Sequence, residues 1–573
     1  NPENQNISND PSTPPPAGGD VIQPRTSVGS ATPDPIAQPP DDNKPEVLGV
    51  VPPNKPKKKS KKSLIIVLVL LLLALAGAAA WWLMKDKQAV EQPKIAKETQ
   101  EIELLQVGTA EGPASIIFPD EGVIGVQGVM DKQIYEGLVR LENNKIVPTI
   151  AKSWTNPDDN TWVFKLNENI KFHTGKTVTS KEVKAALDDL KKYDYWSLFV
   201  STIDSVEASG DYEITLKTKE PDALLLNRLA SAYITDLEAA DKVGNNGTGA
   251  YQLDTTATND EKSTTLVAFD EYHDGRAKTR KLVYKIFNND EEIVKAFNNK
   301  EIDIAEVLPT DAIKESITND NFKSLDHQAP GVFGLYLNQA RSKTPIMKNL
   351  DFRTAVSQAL DRQSLVDQAG TGNLPATQVI PKSLPGYDES VSIPKFDLTA
   401  AKASLVKSGY KNEPIEFVYV KEVQVDPPLI IKQLKDAGIN IKEVAFEADD
   451  VGKALDLVQE GGFDLFAAGY TSDISDARDI LGSLLGSKES SYPVLEDASF
   501  DKILVDSDKA FDPTARIKLL QQANKYIADN VAWVPIRGFR AIAYYSADID
   551  LRQEFNGGGS VGSYYRKVGR IVE

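Results

Sequence analysis

The stretch Phe466-Ala467-Ala468-Gly469-Tyr470-Thr471-Ser472-Asp473-Ile474-Ser475-Asp476 sets an apolar strand end, then an aromatic ring, then a carboxylate just past the strand. These residue types suit recognition rather than bond-making. A strand edge offers backbone hydrogen bonds that do not depend on the partner's sequence, and one carboxylate fixes a cationic terminus by a charge-assisted bond. Asp473 has a second reading as the cap of a helix over 477–485, although Asp476 is better spaced for that duty. A further group, Tyr193, Tyr195 and Trp196, follows a capped helix, at a spacing that serves either ligand contact or core packing.

Other chemistry is poorly supplied. Gly558-Gly559-Ser560-Val561-Gly562 matches GxSxG in form, but no buried strand precedes it, no helical pattern follows it, and no His lies beyond it. We therefore expect a loop there and no catalytic residue anywhere. The three histidines, His173, His273 and His327, stand far apart without an i,i+4 or Cys partner, so neither a zinc site nor a cofactor is expected. No GxxxxGK[ST] motif occurs. Any ATPase working with this chain is then a separate protein.

The elements that must position the recognition stretch are an α/β set beginning at residue 101. Trp162, Phe164 and Leu166 alternate in a half-buried strand, and Thr179-Ser180-Lys181-Glu182 is a capping box opening a helix with Val183, Leu187 and Leu190 on one face. Strand 282–287 precedes a helix opened by Asp290, and Asp351 opens another through residue 360. Helices over 398–408, 428–437 and 450–460 alternate with strands over 439–446 and 463–468. Asp512-Pro513 starts a further helix, with strands over 533–536 and 541–545 after it.

Composition bounds the setting. Leu64 to Met84 carries no charge and, as a helix, spans the hydrocarbon of a bilayer. Six lysines between Lys55 and Lys62 precede it, and Lys85, Asp86 and Lys87 follow it. The basic flank places the N-terminus in the cytoplasm and the large C-terminal part outside, with Trp81 and Trp82 at the outer interface. The rival is a cleaved signal peptide with a site at Ala78-Ala79-Ala80, but such apolar regions run only about 7 to 15 residues. Residues 1–62, rich in Pro and polar residues before the lysines, read as a disordered tail, and 85–100 as a stalk. There is no Cys, which excludes disulfides and a lipid-modified cysteine. Residues 1–87 sum to +2, so the total of −18 leaves −20 beyond residue 87. That field repels phosphate backbones, and no nucleic-acid partner is expected.

The segment IYEGLVRLENNKIVPTIAKSWTNPDDNTWVFKLNENIKFHTGKTVTSKEVKAALDDL resembles the opening region of the extracytoplasmic oligopeptide-binding proteins of ABC transporters, the family 5 solute-binding class. Later segments agree in order: Asn246-Gly247-Thr248-Gly249-Ala250-Tyr251, Asp351-Phe352-Arg353-Thr354-Ala355 with Asp361-Arg362, Leu384-Pro385-Gly386-Tyr387, and Phe463-Asp464-Leu465. The likeness spans residues 101–546. Ala250 stands where the family usually has Pro, Tyr470 where it often has Trp, and the anchor is a helix instead of a lipid.

The resemblance implies an α/β, two-lobed, periplasmic-binding-protein-like fold with three subdomains around a cleft. Domain I would take 101–143, 246–330 and, with the C-terminal tail, 541–573; domain II would be an insertion at 144–245; domain III would run over 331–540. It also implies that the strand ending in Ala468, Gly469, Tyr470, Thr471 and Ser472 pairs with a peptide whose α-ammonium Asp473 holds. Tyr193, Tyr195 and Trp196 would then face the cleft, and Arg353 would make salt bridges between elements. The expected function is capture of extracellular peptides by a monomeric, membrane-anchored binding protein that delivers them to an ABC permease with separate ATPase subunits. The alternative is a surface sensing or interaction protein that keeps the fold but binds a protein partner or a non-peptide solute.

Overall fold

In the computed structural model two long strands, Phe322–Leu337 and Trp533–Ser546, run antiparallel side by side and form the spine of the molecule. The structure describes residues 99–572 except 111–125, 143–144, 258, 260–261, 371, 422–425, 493 and 552–564. The expected tail, the membrane span over 63–84, the stalk up to residue 98 and the loop at 558–562 all lie outside the described residues. The end of the stalk needs correction. Thr99 and Gln100 pair with Ile571 and Arg570, in a three-stranded sheet completed by Ile549–Asp550.

The spine lies in an eleven-stranded sheet and divides it into two lobes. In the first, Phe322 to Gln328 pairs with Arg540 to Ser546, and the sheet continues through Ile304–Val307, Ile102–Thr109, Thr279–Ile286, Ser263–Ala268 and Tyr251–Leu253. In the second, Val332 to Tyr336 pairs with Trp533 to Gly538, and the sheet continues through Leu465–Thr471, Ile415–Val420 and Ile441–Phe446. The last three strands are mutually parallel. Such neighbours need crossovers, which the helices Asp426–Asp436 and Val451–Gln459 supply.

Between the lobes the ladder breaks. The register shifts between Gln328 and Val332, where Ala329-Pro330-Gly331 interrupts the pairing. A Cβ on Gly331 would stand 2.5 Å from the Phe539 ring and 2.5 Å from Thr471 Oγ1, so the close approach here requires glycine. The sequence suggested two strands over 533–536 and 541–545. One continuous strand is found, because the residues around Gly538 keep pairing with their neighbours across the break.

An insertion in the first lobe forms a second sheet, in the order Ala151–Asp158, Thr161–Leu166, Glu213–Thr218, Ile203–Ala208. Trp162, Phe164 and Leu166 point into its core, and the helix Ser180–Leu190 opens with the complete Thr179/Glu182 capping box. This core is continuous with that of the first lobe. The second lobe buries both faces of its sheet: Leu465 and Ala467 on one, Phe466 with Tyr336, Trp533 and the helix Ala477–Leu485 on the other. Alternation along Leu465–Thr471 therefore sends Tyr470 to the helix side and Gly469 to the side of Phe539.

Candidate functional site

The strand Leu465–Thr471 has unequal neighbours. Along one edge Gly331 to Leu337 pairs with all of it, whereas along the other Ile415–Val420 reaches only Leu465 and Phe466 before diverging. Among the described residues no strand covers the second edge of Ala468, Gly469, Tyr470 and Thr471, and Gly469 is exposed. Such an edge is a template for one more strand. The Ser472 amide then donates to Pro330 O at 2.9 Å, which ties the strand's end to the break between the lobes and places Asp473 directly after it.

Asp473 itself is exposed to solvent. Its carboxyl is nevertheless pushed up to about 6, chiefly by desolvation and next by the charge of Asp479; the Lys132 ammonium and a hydrogen bond from the Tyr195 hydroxyl oppose this. Three parts of the chain thus converge: Lys132 on the first-lobe helix Val126–Ile134, Tyr195 on the insertion's short helix Asp194–Ser197, and Asp473 in the second lobe. The lobes also touch beside this point. Asn227 Nδ2 donates to Ile474 O at 2.9 Å, the Ala223 amide donates to Asp508 O at 2.8 Å, and Ile474 is buried in the core of the first lobe and its insertion.

The loop that presents Asp473 is fixed from behind. Ser472 is buried, and its hydroxyl donates to Asp479 Oδ2 at 2.8 Å and accepts from the Asp476 amide at 3.1 Å. Its side chain is therefore turned inward, away from the strand edge. The Tyr470 hydroxyl donates to the other Asp479 oxygen at 3.2 Å, which sets the ring against the helix. Asp479 is itself shifted upward by burial. Ser475 is held in the left-handed region at φ 51°, a costly conformation for a residue with a Cβ that these contacts must sustain. Asp476 caps Ala477–Leu485 through the Arg478 amide at 2.8 Å. It also makes a bidentate pair with Arg516, both bonds at 2.8 Å, a role the sequence did not suggest.

The aromatic group divides. Tyr195 reaches Asp473, Tyr193 is half-buried against the insertion's core, and Trp196 is a core residue, packed on Tyr195, Phe199 and Tyr233 at ring distances of 5.1, 5.9 and 5.6 Å. Trp196 therefore leaves the set of cleft-lining candidates, because the short helix turns its indole inward. Arg353 also differs from expectation. It donates to the carbonyls of Met347, Asn530 and Val531 instead of to a carboxylate, and burial lowers it to about 10.

Sequence reasoning missed Lys132, since nothing in Val-Met-Asp-Lys-Gln-Ile marks a site until the fold brings the lysine's charge to bear on Asp473. Among the described residues no group of three or more His, Cys, Asp or Glu is arranged to hold a metal ion.

Comparison with known proteins follows the same outline. The family described as bacterial extracellular solute-binding proteins, family 5 Middle, matches residues 145–492. The probable D,D-dipeptide-binding periplasmic protein DdpA of Escherichia coli (strain K12) is 25% identical over 407 residues, which cover 67% of this chain and 78% of that one. Among solved structures, HbpA2 from Haemophilus parasuis superposes with a TM-score of 0.72 at 20% identity, covering 82% of this chain and 100% of that one. The periplasmic binding protein DppA from Helicobacter pylori, in complex with the peptide STSA, gives a TM-score of 0.67 at 18% identity, with 82% and 99% covered.

Proposed function

The chain belongs to the bacterial extracellular solute-binding proteins of family 5, and from that premise we propose that it captures peptides outside the cell for an ABC importer. The peptide enters the cleft between the lobes, adds as a strand to the edge Ala468 to Thr471, and places its α-ammonium against Asp473. The protein then delivers it to a permease energised by separate ATPase subunits. A helix over 63–84 holds the protein on the outer face of the membrane, with the lysine-rich tail inside.

One observation carries this reading: a strand open along one edge ends at a carboxylate on which two other parts of the chain, those of Lys132 and Tyr195, converge. Backbone pairing gives affinity without demanding a sequence, and a single charge fixes where the peptide begins. A peptide that contacts both lobes favours the closed arrangement by its differential affinity for it, and the break at Ala329-Pro330-Gly331 is where the spine can bend. The anchor is supported by the uncharged run Leu64 to Met84 and the six lysines ahead of it.

Mass spectrometry of what co-purifies with the full chain tests the function. Peptides with free amino termini are expected. A metal chelate or another non-peptide solute in stoichiometric amount would overturn the peptide reading. Protease added to intact cells tests the topology: the folded body should be digested and the tail spared, and a protected body or one released by cleavage near Ala80 would contradict it.

A further inference from the structure

Phe539 follows Gly538 in the spine strand Trp533–Ser546 and is only half-buried. Its ring lies across the backbone of the two neighbouring strands where each carries a glycine. A Cβ on Gly331 would stand 2.5 Å from the ring's Cδ2 and 3.1 Å from its Cε2, and one on Gly469 would stand 2.7 Å from its Cζ. Gly331 and Gly469 thus leave the bare path on which the ring rests, and the tip of the ring reaches the strand whose outer edge is open. Gly469 itself is exposed.

The ring is held in place by the chain itself. The Arg537 guanidinium carbon lies 4.6 Å from the centre of the Phe333 ring and 5.3 Å from that of Phe539, close enough for a cation–π attraction to both. Arg537 is fixed in turn by a bidentate pair with the buried carboxylate of Asp426, at 3.2 and 3.1 Å. That carboxylate matches the guanidinium's charge, so what this face of the strand offers is ring surface more than charge.

Strand pairing decides which part of a ligand meets it. Residues opposite each other on adjacent strands send their side chains to the same face, with Cβ atoms about 4.5 to 5.5 Å apart. The ligand residue opposite Gly469 therefore sends its side chain to the face of Phe539, and the missing Cβ leaves room for it to lean over the glycine onto the ring. An aromatic side chain suits that place, because it covers the backbone a strand glycine leaves bare and takes the edge of Phe539 in a tilted or T-shaped contact. The ligand residues on either side of it point to the opposite face, toward Tyr470 and the helix Ala477–Leu485.

We propose that Phe539 and Gly469 form a side-chain subsite that selects peptides with an aromatic residue opposite Gly469. The proposal rests on the peptide reading above and names the substrate class: short peptides with Phe, Tyr or Trp at one fixed position, counted from the amino end held at Asp473.

The test is calorimetry on the purified full chain with Ala-Ala-Ala-Ala and the four tetrapeptides that replace one of its residues by Phe. Wild type should bind at least one Phe peptide tenfold or more tightly than Ala-Ala-Ala-Ala. In Phe539→Ala that gain should fall to within twofold, at one position alone. Phe539→Leu, which keeps apolar bulk but withdraws the ring tip from Gly469, gives the same reading if the alanine variant does not fold, as checked by thermal unfolding. A tenfold gain at no position in wild type overturns the proposal and leaves the peptide reading standing. A gain retained in both variants, even with all five peptides weakened alike, overturns the assignment to Phe539 and leaves it a support of the strand; folded variants that bind none of the five do the same. Failure of all five peptides to bind wild type overturns the peptide reading and the proposal with it.

Discussion

Replacing Asp473 by Asn keeps the shape of the side chain and removes the charge that the account assigns to the ligand's α-ammonium. A hydrogen bond to a charged group contributes about 1.5 to 3 kcal/mol net, more when fully desolvated. Asp473 is exposed and Lys132 already shares its field, so the lower range applies. That range corresponds to a loss of about 10- to 150-fold in affinity. Calorimetry should be run as a double cycle: wild type and Asp473→Asn, each with a free peptide and its N-acetylated form. Both changes delete the same interaction, so the acetyl group should weaken wild type by that factor and leave the variant nearly unaffected. Lys132→Met supplies a control, because removing the competing ammonium should leave the acetyl effect in place or enlarge it. Equal binding of acetylated and free peptide by wild type would refute the reasoning, since no ammonium could then be anchored at Asp473.

Further outcomes follow from the same geometry. With its carboxyl pushed up to about 6, Asp473 must lose its proton to hold a cation, so peptide affinity should rise as pH increases through that value, and Asp473→Asn should flatten the profile. The stability of the ligand-free chain should change with the opposite sign. Between the ordinary Asp range and about 6 the folded state binds the proton more tightly than the unfolded one, so raising pH through that window costs stability, measured by urea midpoints. Asp476→Asn breaks a buried bidentate pair with Arg516 and should cost about 3 to 5 kcal/mol in urea unfolding, with peptide affinity within about twofold of wild type. Asn227→Ala removes a bond from the insertion to Ile474 O across the cleft; at about 0.5 to 1.5 kcal/mol it should weaken binding by about 2- to 10-fold, and scattering should show a more open apo form.

What the sequence made legible was local. The capping box at Thr179 and Glu182, the caps Asp476 and Asp512, and the alternation of Trp162, Phe164 and Leu166 depend on residues within a few positions of one another, and all stand in the structure as read. Where a feature depends on distant partners, the sequence offered little. Residues 537–540 read as a gap between two strands, yet the pairing of Gly538 with Val332 and Leu374 carries one strand through. Trp196 and Tyr195 are adjacent and chemically alike, but a four-residue helix turns one into the core and the other toward Asp473. Two of the three backbone carbonyls that receive Arg353, those of Asn530 and Val531, lie 177 and 178 residues away, at the end of the helix Pro513–Asn530, where no sequence pattern announces them. Lys132 gains meaning only when three parts of the chain fold around one point.

The central claim is that the ligand is bound as an added strand along Ala468 to Thr471. Amide hydrogen exchange across this segment, measured with and without a peptide whose binding calorimetry has established, tests it most directly. The account predicts slower exchange in Ala468 to Thr471 on binding, greater than in the partner strand Phe322–Leu337, whose amides there are already paired. Saturating peptide that leaves exchange along Ala468 to Thr471 unchanged would contradict it.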